Sequence, residues 1–203
     1  MNKLLELVKE KLGCGYVWGS QGETLTPQLL KQFMNDLGKE HYVLSDGTRA
    51  DKWLGKQCFD CSGLVVWALI KLGMISSDSD YSAGMLFYSL CTPIEFQEMK
   101  PGDLVFRKNA AGEIVHVGIY AGNGDTIEAK GTAFGVVKGR AIDFNMFGKL
   151  KFDLNSYGDV VQGLINKGAI KDPAYWENNL VPGGTVKADY VIIVLKKLLG
   201  IPG

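Results

Sequence analysis

An excess of charge of either sign is missing from this 203-residue chain: Lys+Arg and Asp+Glu both number 22, and the formal net charge is zero. Proteins that grip nucleic acid through its phosphates carry a basic excess, so nucleic acid is not expected as a partner. Histidine is scarce, with only His41 and His116. The four cysteines, Cys14, Cys58, Cys61 and Cys91, are too few in a chain this long for a disulfide framework. No apolar run, Val191 to Leu195 among them, approaches the ~20 residues of a membrane span. The opening segment, MNKLLELVKEKLG, is charged at Lys3, Glu6, Lys9, Glu10 and Lys11 and has neither an apolar h-region nor a small-residue cleavage site. It does not read as a signal peptide, and synthesis in the cytoplasm is the expectation.

What is present is patterned. Residues 3–12 place Leu4, Leu5, Val8 and Leu12 on one helical stripe. Thr26-Pro27 has the form of an N-cap with proline at the first helical position, and predicts a helix over 27–38 ending at Gly38. Residues 39–57 are polar and read as loop. The segment CFDCSGLVVWALIKLGMI spaces Leu64, Val65, Ala68, Leu69 and Leu72 helically, with Gly73 as a C-cap. Residues 76–83, rich in Ser and Asp, read as loop. After Pro101-Gly102 the period changes. Short β-type runs at 104–106, 115–120, 126–129 and 136–137 are separated by turn signals such as Gly122-Asn123-Gly124. Helices followed by an antiparallel sheet make the class α+β, helices packed on the sheet. Beyond 155 the helical period returns, with Val160, Val161, Leu164 and Ile165 on one stripe and Val191, Val194, Leu195 and Leu198 on another. The expected organisation is a main domain over 1–154 and a small helical C-terminal segment over 155–203, too short to hold a core alone.

Cys61 falls in the first turn of the helix that begins near Asp60, where the positive end of the helix dipole favours thiolate. Ser62 and Gly63 beside it are small and leave room for a substrate carbonyl. The Cys61 backbone N–H is a free donor at that helix end, suited to an oxyanion. By itself a free cysteine is most often a small buried hydrophobe. His116 shifts the balance. It lies early in the strand of EIVHVGIYAGNG and shares a face with Gly118 and Tyr120. A thiolate nucleophile needs an imidazole held by a third polar group. The turn at 122–124 makes the strand of DTIEAKG an antiparallel neighbour, which brings Glu128 within reach of His116. Each has an ordinary alternative: a hydrogen-bonded core histidine and a solvated strand carboxylate.

The segments GYVWGS (15–20), FDCSGLV (59–65), KPGDLVF (100–106) and HVGIYAGNG (116–124) resemble, in order, the signature blocks of the NlpC/P60 superfamily of papain-like cell-wall cysteine peptidases. The resemblance covers roughly residues 6–131. It implies a papain-like fold with Cys61 as nucleophile, His116 as base and Glu128, twelve positions on, as the third polar residue. It further implies that Tyr16 lines the nucleophile pocket and that Asp60, with a hydroxyl residue matched here by Ser82, binds the free amino end of a wall peptide. There are departures. The third residue is more often His than Glu, position 20 is Ser where Gly is commoner, and the link from Gly22 to Phe59 is stretched, so that 23–57 forms an insertion.

The function implied is hydrolysis of the peptidoglycan stem peptide by a Cys-His-Glu thiol mechanism, as a D-glutamyl endopeptidase, with no cofactor and no metal. The alternatives are an amidase or acyltransferase on the same fold, and a non-catalytic wall-binding module. Cys58-Phe-Asp-Cys61 is also a C-x-x-C, but a redox role needs a preceding strand in a βαβ unit, and a zinc site a second closely spaced pair. The tail, with GAIKDPAYW at 168–176, is similar to helical segments attached to phage and Gram-positive wall-lytic proteins. With no signal peptide read, a protein released at lysis, carried on a virion or exported by another route is expected.

Overall fold

The computed structural model describes residues 2–151, 168–170, 175–176 and 186–198. Helix α1 (Lys3–Lys9) is capped by Asn2, whose side chain accepts from the Leu5 N–H, and buries Leu4, Leu5 and Val8. Leu12, expected on that stripe, lies beyond the helix and is exposed. Strands β1 (Gly15–Tyr16) and β2 (Gln21–Thr24) follow. Helix α2 (Pro27–Leu37) begins as the sequence predicts, with Thr26 accepting from the Leu29 N–H and Pro27 in the first turn, and Gly38 caps its end at φ 95°.

The 39–57 stretch is not the polar loop expected. Two short 3-10 turns, Lys39–His41 and Ala50–Trp53, bring Tyr42, Ala50 and Trp53 inward. They pack with Val17, Leu25 and Cys58 in a hydrophobic cluster of their own. The Tyr42 hydroxyl donates to the Trp18 carbonyl at 3.0 Å, and the Trp53 indole N–H to the Thr132 carbonyl at 2.8 Å. Single aromatics placed without helical or strand period leave no signal that a window of sequence detects, yet each brings enough apolar area to organise a loop.

Strand β3 (Gln57–Phe59) pairs parallel to β1 and antiparallel to β2 in a three-stranded sheet. It runs straight into helix α3 (Cys61–Lys71), which is buried along most of its length. One turn of helix, α4 (Ala83–Met85), and a wider turn over Leu86–Leu90 lead into strand β4 (Cys91–Ile94). Strands β5 (Leu104–Lys108), β6 (Ile114–Gly122), β7 (Asp125–Gly131), β8 (Gly135–Arg140) and β9 (Met146–Leu150) complete a six-stranded sheet in the order β4-β9-β5-β6-β7-β8. All its pairings are antiparallel. The class is therefore α+β. The four runs read from sequence are β5 to β8. β4 and β9 escaped that reading because each buries few apolar residues and neither alternates cleanly.

The main core lies between α1 and α3 and the sheet face carrying Leu104, Phe106, Val117, Ile119, Ile127 and Ala129. Fully burying side chains of this kind contributes ~1.5–3 kcal/mol each, and this layer fixes α3 against β6 and β7. The β6–β7 turn is the hairpin expected, with Asn123 at φ 55° and Gly124 at φ 79°, the conformation that Asn-Gly takes readily.

In the C-terminal segment, helix α5 (Ala188–Leu198) buries Val194 with Ala169, Ile170 and Trp176. Val191 and Leu195, expected on the buried stripe, are exposed. The stripe at 160–165 and the boundary between 154 and 155 lie outside the described residues. Among the described residues no helix is long and apolar enough to cross a membrane.

Candidate active site

Asp60 joins β3 to α3 and ties three segments together. Its Oδ1 accepts from the Gly63 N–H at 2.7 Å and the Ser62 hydroxyl at 3.1 Å, and its Oδ2 from the Gly19 N–H at 2.9 Å. It is thus the N-cap of α3, which explains why the helix starts where it does. The Asp60 N–H in turn donates to the Ser20 carbonyl at 2.8 Å. A β-carbon at position 63 would meet that carbonyl at 2.2 Å, so only glycine lets the β1–β2 turn approach the helix this closely.

This start sets Cys61 at the first position of α3, 7% exposed. The backbone N–H groups of Val117, Ser62 and Cys61 itself favour its thiolate, but burial outweighs them, with Asp60 adding to it, and pushes the thiol up to about 12. The dipole-favoured thiolate expected from sequence is therefore opposed by desolvation, the largest of the effects. A base is needed to take the proton.

His116 adjoins Val117 on β6, the residue whose backbone N–H acts on the Cys61 sulfur. The β6–β7 ladder runs from Gly122↔Asp125 to Ile119↔Ile127 and is not continued toward His116. His116 and Glu128, both nearly fully buried, meet there, with His116 Nε2 and Glu128 Oε2 2.6 Å apart. Where Glu128 is the carboxylate it only accepts, and the contact then assigns the hydrogen to Nε2 and leaves Nδ1 as the acceptor. Phe144 stacks on the imidazole at 5.7 Å between ring centroids and 15° between planes. Two glycines make the room. A β-carbon at 118 would lie 3.2 Å from the Phe144 ring and 3.3 Å from Glu128 Cβ, and one at 139 would lie 2.0 Å from Glu128 Oε1.

Tyr16 is buried on β1 beside this group. Burial raises its hydroxyl most, followed by the charges that Cys61 and Asp60 would carry. Ser62 is spent on Asp60. Ser82 caps α4, its hydroxyl accepting from the Met85 N–H at 3.2 Å, and is exposed. The segment before it does reach the site: Gln21 donates to the Ser79 carbonyl, and Asp80 acts on the Asp60 carboxyl, which is raised first by burial. Phe144 and Asp80 were missed by sequence reasoning. Phe144 follows β8 with no periodic signal, and Asp80 sits in a Ser/Asp loop that reads as solvated.

Cys58 does not join Cys61. It is fully buried in the second cluster, its thiol donating toward the Lys56 carbonyl at 3.4 Å. All four cysteines are free.

Residues 38–149, more than half of the chain, match the NlpC/P60 family. The chain is similar to the murein DD-endopeptidase MepH of Escherichia coli, 33% identical over 114 residues that make up 53% of this chain and 37% of that protein. It is also similar to the probable endopeptidase p60 of Listeria innocua, 43% identical over 76 residues, 37% of this chain and 15% of that one. It thus spans well under half the length of these relatives. Among solved structures, the peptidoglycan hydrolase RipB of Mycobacterium tuberculosis aligns over 74% of this chain and 64% of its own, at 23% identity and a TM-score of 0.49.

Proposed function

The chain belongs to the NlpC/P60 family, and from that premise we propose that it hydrolyses the peptide of bacterial peptidoglycan by a thiol mechanism, with Cys61, His116 and Glu128 in the catalytic roles. The observation that carries the reading is the buried His116–Glu128 contact, one residue from Val117, whose backbone N–H acts on the Cys61 sulfur at the start of α3. Apolar residues of the same volume would pack here without the desolvation cost of a buried carboxylate–imidazole pair, so the pair is read as functional. Support also comes from the relatives, which are named endopeptidases.

In this mechanism Cys61 rests as a thiol, since burial disfavours its anion. Its proton passes to His116 Nδ1 as the sulfur attacks the substrate carbonyl, while Glu128 stabilises the imidazolium through Nε2. The tetrahedral intermediate collapses to a thioester, and the imidazolium returns the proton to the departing amine. Water, activated by His116, then releases the acid and regenerates the thiol.

The bond we assign is the peptide bond to the side-chain carboxyl of D-glutamate, with the amino end of a short stem peptide read at Asp60. Asp80 strengthens this reading, because two carboxylates at one corner favour a cationic amine. Tyr16 forms the adjoining wall, and Ser82 stands beyond Asp80. The cell wall is then the place of action. Mass spectrometry of purified wall after digestion tests the bond. Fragments with a new free D-glutamyl carboxyl are expected; a cut in the D,D cross-link, or a sugar–lactyl amide break, would overturn the assignment.

A further inference from the structure

Among the described residues one buried side-chain nitrogen or oxygen has no hydrogen-bond partner: the Thr126 hydroxyl. Thr126 is fully buried on β7, two residues before Glu128 and so on the same strand face. It pairs with Gly139 of β8. A β-carbon at Gly139 would lie 2.0 Å from Glu128 Oε1 and 2.8 Å from Thr126 Oγ1. Both oxygens therefore overhang the same bare α-carbon. Glu128 uses Oε2 on His116, and Oε1 is the oxygen turned toward the hydroxyl.

We propose that Thr126 is a positioning residue for the thiol-hydrolase site, its hydroxyl holding Glu128 Oε1 across Gly139 through one bridging water, so that Oε2 stays on His116. The inference rests on the reading of Cys61, His116 and Glu128 given above. Its physical basis is twofold. A buried hydroxyl without a partner is unfavourable, and valine would fill the same volume without that cost. A donor on a carboxylate also favours its charged form and fixes its rotamer. Of the ionisable groups around this face, Arg107 of β5, opposite His116 in register, and Asp143, next to Phe144 in the chain, are exposed, while Tyr120 of β6 lies opposite Thr126 and its hydroxyl accepts from the Gly124 N–H. None of these three donates to Oε1.

The test is a double-mutant cycle on the intact protein, reading the rate of Cys61 alkylation against pH together with wall hydrolysis and thermal unfolding. Thr126→Val should lower Tm, slow wall hydrolysis about three- to thirtyfold, and move the alkylation profile to higher pH. Thr126→Ser restores the donor and should recover most of both. In a Glu128→Gln background Thr126→Val should move the profile no further. The role is overturned if Thr126→Val raises Tm and leaves profile and turnover as in wild type, or if it shifts the profile equally with and without Glu128. A wild-type protein that neither hydrolyses wall nor alkylates faster than the other cysteines overturns the thiol-hydrolase reading and this role with it.

Discussion

Glu128→Gln keeps the size of the side chain and an oxygen that accepts, and removes one charge from a contact in which both partners are nearly fully buried. Hydrogen bonds involving an ionised group contribute about 1.5–3 kcal/mol net, against about 0.5–1.5 for neutral pairs. The loss of imidazolium stabilisation is therefore about 1–2 kcal/mol. The full Coulomb figure at an effective dielectric of 20 is larger, about 4 kcal/mol at 4 Å, but the amide dipole returns part of it. At ~1.4 kcal/mol per tenfold in rate, turnover of wall peptide should fall about five- to thirtyfold. The Cys61 thiolate should form about one pH unit higher, since 1.36 kcal/mol corresponds to about one unit. The assay is the alkylation rate of Cys61 across pH, wild type beside variant, with wall hydrolysis measured on the same preparations. An unchanged profile with unchanged hydrolysis would refute the reasoning and make Glu128 an ordinary buried strand residue.

Cys61→Ala should abolish wall hydrolysis with the circular dichroism spectrum intact, whereas Cys58→Ala, in the second cluster, should remain active and lose about 1 kcal/mol in denaturant unfolding; the reverse pattern would exchange their roles. Stability should decline on the alkaline side, because burial raises Cys61 and Cys91 to about 12 and Cys58 to about 11 from 9.0. The folded state then holds these protons more tightly than the unfolded one, so their contribution is complete below about pH 9 and is lost as pH rises toward 11–12. Denaturant midpoints at pH 8.5 and 10.5 read this, and Cys61→Ala should lessen the slope by at most about 1.4 kcal/mol per pH unit; a midpoint flat over that range contradicts it. Asp80→Asn should raise KM for an amine-ended stem peptide about two- to fivefold with kcat unchanged, an effect fading in high salt; steady-state kinetics on free and acetylated peptide check it.

Much of this was legible where one local rule acts alone. Thr26-Pro27 and Asp60 place the starts of α2 and α3 through cap chemistry, and the Asn-Gly turn fixes the β6–β7 hairpin, hence Glu128 opposite the His116 side of the sheet. What was not legible depends on contacts distant in sequence. Tyr42 and Trp53 turn the 39–57 stretch into a small packed unit by reaching Trp18 and Thr132. β4 and β9 exist because the sheet offers each an edge to pair with, not because their own residues alternate. Phe144 reaches His116 only once β8 has returned past β7, and Asp80 meets Asp60 across a loop. The thiol is the clearest case of competing effects: the helix end favouring thiolate is visible in DCSG, while the burial that outweighs it is a property of the assembled core.

Cys61 is proposed above as the nucleophile of a peptidoglycan peptidase. Digestion of purified wall by wild type and Cys61→Ala, followed by mass spectrometry of the soluble fragments, tests it most directly. Stem-peptide fragments with a new carboxyl end are expected from wild type and none from the variant; fragments released equally by both would rule Cys61 out as the nucleophile.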